Sequence, residues 1–243
     1  MYKRQISEAI KLDKEVQNLN DEFAYHHVVQ KIHNFCVHEL GGVYLDIIKD
    51  RMYVTKSDSY ARRSAQFALF EVADILIRLI SPILVFTAEE IWQSHELFKK
   101  QSVSIFTSSQ KVLSKIESSI SDQDWKKIFA IKDAVNQSIE KARADSVIKG
   151  SLDSKIRIEC DKETFKALQK IEGELKFVFI SSEVEIIESS NSKLDIQVTN
   201  LDQKKCIRCW NKCSSVGLHL EDPEICSRCY TNVYGDGEIR KFV

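Results

Sequence analysis

The 243-residue chain has only 7 glycines and 2 prolines, too few turn formers for an all-β sandwich and too few breakers for a flexible or disordered tract. It has no excess of either charge: 35 Lys and Arg against 36 Asp and Glu leave a formal net charge of -1. A polycationic tail that coats nucleic acid by bulk charge is therefore excluded, and any such contact must use local patches. No apolar run reaches the roughly 18 residues of a membrane span, because Ile75 to Ala88 is shorter and is broken by Arg78. The opening MYKRQISEAIK lacks the apolar core of a secretory signal, so a cytoplasmic location is expected. There is no glycine-rich phosphate loop, no G-x-S-x-G elbow, no helical H-E-x-x-H and no His, Asp and Ser set at catalytic spacing. No catalytic residue can be assigned from motifs.

What is present is helical periodicity, then a change of period. Phe23, Val28, Ile32, Phe35 and Cys36 form an apolar stripe over Glu22 to Leu40, which Gly41 and Gly42 are expected to stop. Ala61, Ala65, Ala68, Val72, Ile75 and Leu79 share one face from Ser59 to Ile80, with Arg62, Arg63 and Asp74 off it and Pro82 beyond its end. Thr87 and Glu90 have capping-box spacing, which predicts a helix start there and also explains Glu89 and Glu90 without a catalytic role. The first hundred residues thus predict an antiparallel helical bundle. After a polar stretch from Ser102 to Ser121, Trp125, Ile128, Ile131, Val135, Ile139 and Ala142 predict one long helix to about Val147, closed by Gly150. Leu152, Ile156 and Ile158, then Leu194, Ile196 and Val198, alternate as strands do, with a short helix from Lys162 to Ile171 between them. The fold class expected is mainly α, a helical bundle followed by a small α+β unit and a metal-bound segment. The expected divisions are 1–120, 121–200 and 201–243.

The strongest chemical signal lies in that last segment. Cys206, Cys209, Cys226 and Cys229 form two C-x2-C knuckles at the spacing of four-cysteine zinc sites. Two knuckles complete a tetrahedron with no open position, which points to structural zinc rather than catalytic zinc. The competing readings are two disulfides or unrelated core cysteines. Cys213 and His219 lie within the loop without a partner at knuckle spacing. Cys36 and Cys160 are expected to be small core residues. His26, His27, His33 and His38 lack the i, i+4 arrangement with a carboxylate that makes a helical zinc site.

The runs IHNFCVHELGGVYLDIIKDRMYV (32–54) and RRSAQFALFEVADILIRLISPILVFTAEEIW (62–92) closely resemble the helical anticodon-binding domain of isoleucyl-tRNA synthetases. IKDAVNQSIEKARADSVIKGSL (131–152) is similar to the junction that follows it in bacterial members, with Lys149 beside Gly150 as a departure. CIRCWNKCSSVGLHLEDPEICSRCYTNV, with GDGEIRKF behind it, resembles the zinc finger that ends those enzymes and also occurs in DNA-repair glycosylases. The resemblance implies a class I enzyme that joins isoleucine to its tRNA. Its nucleotide-binding fold, its HIGH and KMSKS signatures and its editing domain have no counterpart here, so ATP belongs to the full-length enzyme only. On this resemblance the chain is the C-terminal portion, inactive alone, partnered by tRNA(Ile) and by the catalytic domain in cis or in trans, with no membrane and no strong sign of a homo-oligomer. A free-standing zinc-finger module for other RNA or DNA is the alternative.

Such a module needs local positive charge and exposed flat groups for unstacked bases. Arg208 and Trp210 flank Cys209, and Arg228 lies in the second knuckle; the competing role is a hydrophobic lid with arginines balancing the thiolates. Arg62 and Arg63 at a helix start, and Lys149, Lys155 and Arg157 with Lys141 and Arg143, are the remaining candidates for phosphate contact, against the commoner role of solvated surface charges.

Overall fold

The computed structural model describes residues 2–109, 118–189 and 194–241. It is mainly helical, with one three-stranded sheet and a four-cysteine cluster. The chain forms two compact units, one made of residues up to Asp46 together with Arg63–Ser118, the other of Ile47–Arg62 with everything from Ser119 onward. The middle of the Ser102 to Ser121 stretch, 110–117, lies outside the described residues.

In the first unit α1 (Tyr2–Asp21) buries Ile6, Ala9, Leu12 and Val16, a stripe at three- and four-residue spacing, against α2 (Tyr25–Asn34). Phe23 is not part of a helical stripe. It sits in the connection with a left-handed φ of 58° and is exposed. Gly41 and Gly42 do not stop the helix. The chain continues from α2 through a π-helix (Phe35–Tyr44) directly into α3 (Leu45–Tyr53). A Cβ on Gly41 would meet the Cys36 carbonyl oxygen at 3.2 Å and one on Gly42 the Val37 oxygen at 3.3 Å. Here glycine permits the close turn instead of ending it. Cys36 faces outward on this segment, contrary to the core position expected of it.

Helix α4 (Tyr60–Ile80) buries all six residues of its expected stripe and ends two residues before Pro82. Asp74, expected off the buried face, is fully buried and receives the Arg78 Nε at 2.7 Å. The Arg78 guanidinium goes on to Ser108 Oγ and the Ser109 carbonyl, both at 2.7 Å. The capping box at Thr87 does not form: α5 (Val85–Ser94) starts two residues earlier, after Leu84, with no side-chain cap. Glu89 instead receives Ser104 Oγ at 2.8 Å and the Ile105 amide at 3.1 Å, which tie the following loop to α5. With Ala88, Phe98 of α6 (Glu96–Lys99), Ile77 and Ile105, Trp92 forms the local core.

The second unit is built on α7 (Asp122–Ala144), whose predicted apolar face is buried throughout. Ser121 and Asp124 make a reciprocal capping box at its start. It ends at Asp145, with Ser146 left-handed at φ 59°, so Gly150 is not the residue that closes it. The sheet has the order β2-β1-β3. Strand β1 (Ser154–Cys160) is central, with Ser154, Ile156, Ile158 and Cys160 buried in alternation. β2 (Glu183–Glu188) pairs parallel to it, after a crossover through α8 (Lys162–Gln169) and α9 (Leu175–Val178). β3 (Asp195–Asn200) pairs antiparallel and leads into the cysteine segment.

Candidate zinc centre and nucleic-acid interface

The first knuckle is the tip of a hairpin. Lys205 pairs with Lys212 across it, the Cys206 amide donates to the Asn211 carbonyl at 2.9 Å, and the Trp210 amide donates to the Cys206 carbonyl at 2.9 Å. The second knuckle is a helix start. Cys226 is the N-cap of α10 (Ser227–Tyr234), and Cys229 lies in its first turn. A helix N-terminus favours anionic sulfur there.

The four thiol sulfurs lie within 4.8 Å of one another and all four residues are buried. The Sγ atoms of Cys206 and Cys229 are 3.7 Å apart, and those of Cys209 and Cys226 are 3.8 Å apart. A disulfide needs about 2.05 Å, so that reading is set aside, whereas a tetrahedron with bonds of about 2.3 Å has edges of about 3.8 Å. Backbone amides point at sulfur as well: the Cys226 N–H donates to Cys206 Sγ at 3.3 Å, and the Cys229 N–H to Cys226 Sγ at 3.5 Å. The electrostatics of the cluster agree. Thiols of Cys226 and Cys229, donating to Cys209 and joined by the nearby Arg228 charge, pull the Cys209 thiol far down. The thiolate formed there pushes Cys226 up to about 12 and Cys229 further up. One buried thiolate forbids its neighbours from ionising unless a cation shares the cavity. The residues present fit one four-coordinate zinc ion with no position left open for substrate. His219 is elsewhere, stacked on Tyr230 at 3.9 Å and hydrogen-bonded to Ser227 at 3.0 Å. Cys213 packs against the outside of the cluster.

The four-cysteine cluster shares its core with Val54, just after α3. Arg208 spans the same junction, donating to the Val54 carbonyl at 2.7 Å and the Tyr53 carbonyl at 3.3 Å. Arg228 makes two bonds of 2.9 Å to the Asp50 carboxylate and a third, of 3.2 Å, to Glu238. Arg240, in the segment after α10, reaches Asp50 at 3.1 Å and lies 3.6 Å over the Phe177 ring. Glu174 receives Arg51 at 3.1 Å. Burial, and then the neighbouring Arg228 charge, push the Lys176 amine down, against the pull of Asp50 and Glu238. These charges are sequestered and paired; they bind α3, the small α+β unit and the finger to one another.

The other expected contact residues separate by exposure. Trp210 is 62% exposed and holds a left-handed φ of 64°, so it does not cover the metal as a lid. Arg62 is half-buried, with one long contact of 3.5 Å to the Thr55 carbonyl, and Arg63 is exposed. Lys155 lies 2.7 Å from Glu183 and 3.4 Å from Glu185, and Arg157 lies 2.7 Å from Glu159. Lys149 lines an open cleft of about 610 Å³ with Arg143 and Ser146, and Arg143 is paired to Glu140 at 2.8 Å. Three exposed or half-exposed lysines were not singled out from the sequence. Lys204, Lys205 and Lys212 stand on the two legs of the knuckle hairpin, with Lys212 bound to Asn200 at 2.9 Å and Lys205 lying 3.5 Å from Asp153. The hairpin implied by C-x2-C was the signal that brings them together.

Residues 3–158 match the family model of the anticodon-binding domain of tRNA ligase, and residues 203–232 match that of the zinc finger found in FPG and IleRS. Isoleucine–tRNA ligase of Alcanivorax borkumensis is 41% identical over 248 residues, covering 98% of this chain and 26% of its own length. The corresponding proteins of Stutzerimonas stutzeri and Saccharophagus degradans are 39% and 37% identical, with the same shares. The chain thus spans about a quarter of the length of the curated relatives it matches. Among the described residues no helix is long and apolar enough to cross a membrane.

Proposed function

Because the chain belongs to the anticodon-binding-domain family of tRNA ligases, we propose that it is the tRNA(Ile)-binding, anticodon-recognising C-terminal portion of an isoleucine–tRNA ligase. Its work is to hold the anticodon arm while the rest of the ligase, in cis or in trans, activates isoleucine with ATP in the cytoplasm. The segments 1–120, 121–200 and 201–243 serve as helical domain, junction and finger, although 47–62 folds with the latter two. Cys206, Cys209, Cys226 and Cys229 hold one structural Zn²⁺. When bound, the ion fixes the knuckle backbone and supplies no reaction chemistry.

The observation that carries this reading is Trp210. A large ring left in solvent on a rigid knuckle, between Arg208 and the lysines of the hairpin legs, suits stacking on an unpaired base. Arg63, Lys149, Lys204, Lys205 and Lys212 are the cations best placed for phosphates. Arg208 and Arg228 act instead as internal supports, and Lys155 and Arg157 are neutralised by neighbouring carboxylates. Arg62, half-buried, stands between these groups.

The test is binding of zinc-loaded chain to isoleucine tRNA, and to the same tRNA with its anticodon replaced, across a salt series. An affinity loss well beyond tenfold, about 1.4 kcal/mol, on replacement is expected. Equal, salt-sensitive binding to both would leave backbone attraction only and overturn anticodon recognition.

A further inference from the structure

The segment that carries the finger's support also presents a second ring. From Asp50 to Thr55 nearly every side chain is engaged inward. Asp50 holds Arg228 and Arg240, Arg51 holds Glu174, Val54 is part of the metal core, and Thr55 is buried. Tyr53 alone among the large side chains of that run points out, 74% exposed. Its backbone is not free to move, because Arg208 of the first knuckle donates to its carbonyl oxygen at 3.3 Å and to the next one at 2.7 Å. Arg208 is two residues from Trp210, and Asn232 of α10 ties the following segment to the same run. There the Lys56 amide donates to Asn232 Oδ1 at 3.2 Å, and the Glu238 amide donates to the same oxygen at 3.0 Å. The consequence is an exposed aromatic fixed to the cysteine knuckle by a guanidinium, a buried valine and sequestered ion pairs.

Single exposed aromatics are ordinary on protein surfaces. An immobilised one, tied through Arg208 to the knuckle that carries a second exposed ring, is a different object, because a base can stack on it without ordering the backbone first. We propose that Tyr53 is a second RNA-contacting residue on the same rigid head as Trp210, taking the face of an unstacked base in a single-stranded loop. The inference rests on the anticodon-reading function proposed above and extends it to a residue outside the finger.

The experiment uses the full chain loaded with zinc and an anticodon stem-loop RNA of isoleucine tRNA carrying 2-aminopurine in its loop. Tyr53→Phe should bind as the parent does, whereas Tyr53→Leu should bind about 5- to 150-fold more weakly and lose quenching of the reporter base. Zinc content should stay unchanged in both. Binding of Y53L equal to the parent, while Trp210→Ala is weakened, would overturn the role of Tyr53 and leave the finger reading standing. Parental binding by both Y53L and W210A would overturn both. Equal weakening of Y53F and Y53L would show that the hydroxyl, not the ring face, makes the contact, and would also overturn stacking.

Discussion

Trp210 is held in the left-handed region where bulky side chains are rare, at a cost of about 1 kcal/mol or more. Glycine fits that turn without strain, and most of the ring lies in solvent, so burial does not repay the cost. Trp210→Gly should therefore raise the zinc-loaded unfolding free energy by about 1 kcal/mol in a denaturant titration while weakening RNA binding by about 1 to 3 kcal/mol. Lower stability or lost zinc in W210G would mean that the ring's contacts support the knuckle, and would count against a ring kept only for binding. The same residue offers an optical readout, because Trp92 and Trp125 are buried. Iodide should quench mainly Trp210, and saturating RNA should protect that emission if a base covers it; quenching unchanged by RNA would count against stacking.

At the scale of elements, α7 depends on its first turn. Ser121 accepts the Asp124 amide at 3.1 Å, so Ser121→Ala should cost about 1 kcal/mol, measured as a shift in urea midpoint at constant slope. Asp124 also receives Lys170 at 2.6 Å. That bond first, then the Ser121 hydroxyl, holds its carboxyl below the usual range. A depressed folded pKa stabilises above the unfolded value of about 3.9, and the contribution is lost as pH falls through the folded value. Lys170→Met should thus be less stable than the parent near neutrality, with the gap closing below about pH 4. The stripe of α7, the stripe of α4 and the alternation of β1 were legible in the sequence because each buries one continuous face. Gly41 and Gly42 were misread because glycine usually weakens a helix, whereas here the close π-turn leaves little room for a Cβ. The Thr87–Glu90 spacing was matched by chance inside a helix that begins at Val85. α1 was missed although Ile6, Ala9, Leu12 and Val16 keep helical spacing, and β2, an edge strand, shows no clean alternation. The metal set was legible because its spacing is local. Its support was not, because Asp50 and Arg228 are 178 positions apart and no pattern links them.

For the molecule as a whole, net charge says little about RNA binding, and the pairing of individual cations decides it. Each phosphate contact by a free cation adds about 0.7 to 0.9 to the slope of log affinity against log salt. Lys155, Arg157 and Arg143 already face carboxylates at 2.7 to 2.8 Å, so a phosphate would have to displace a partner at little net gain. The hairpin lysines differ. Lys212 is bound only to a neutral amide in the described contacts, Lys205 has a long ion pair at 3.5 Å, and both flank the exposed ring. Replacing Lys204, Lys205 and Lys212 by glutamine should therefore flatten the salt slope for tRNA by about 2 to 3. Replacing Arg143, Lys155 and Arg157 should change it by less than about 1. The two triple variants remove the same formal charge, so bulk electrostatics predicts equal effects and the knuckle-centred reading predicts unequal ones. Equal slopes would shift the RNA interface away from the finger, and a larger effect from the second triple would move it to the end of α7 and the face of the sheet.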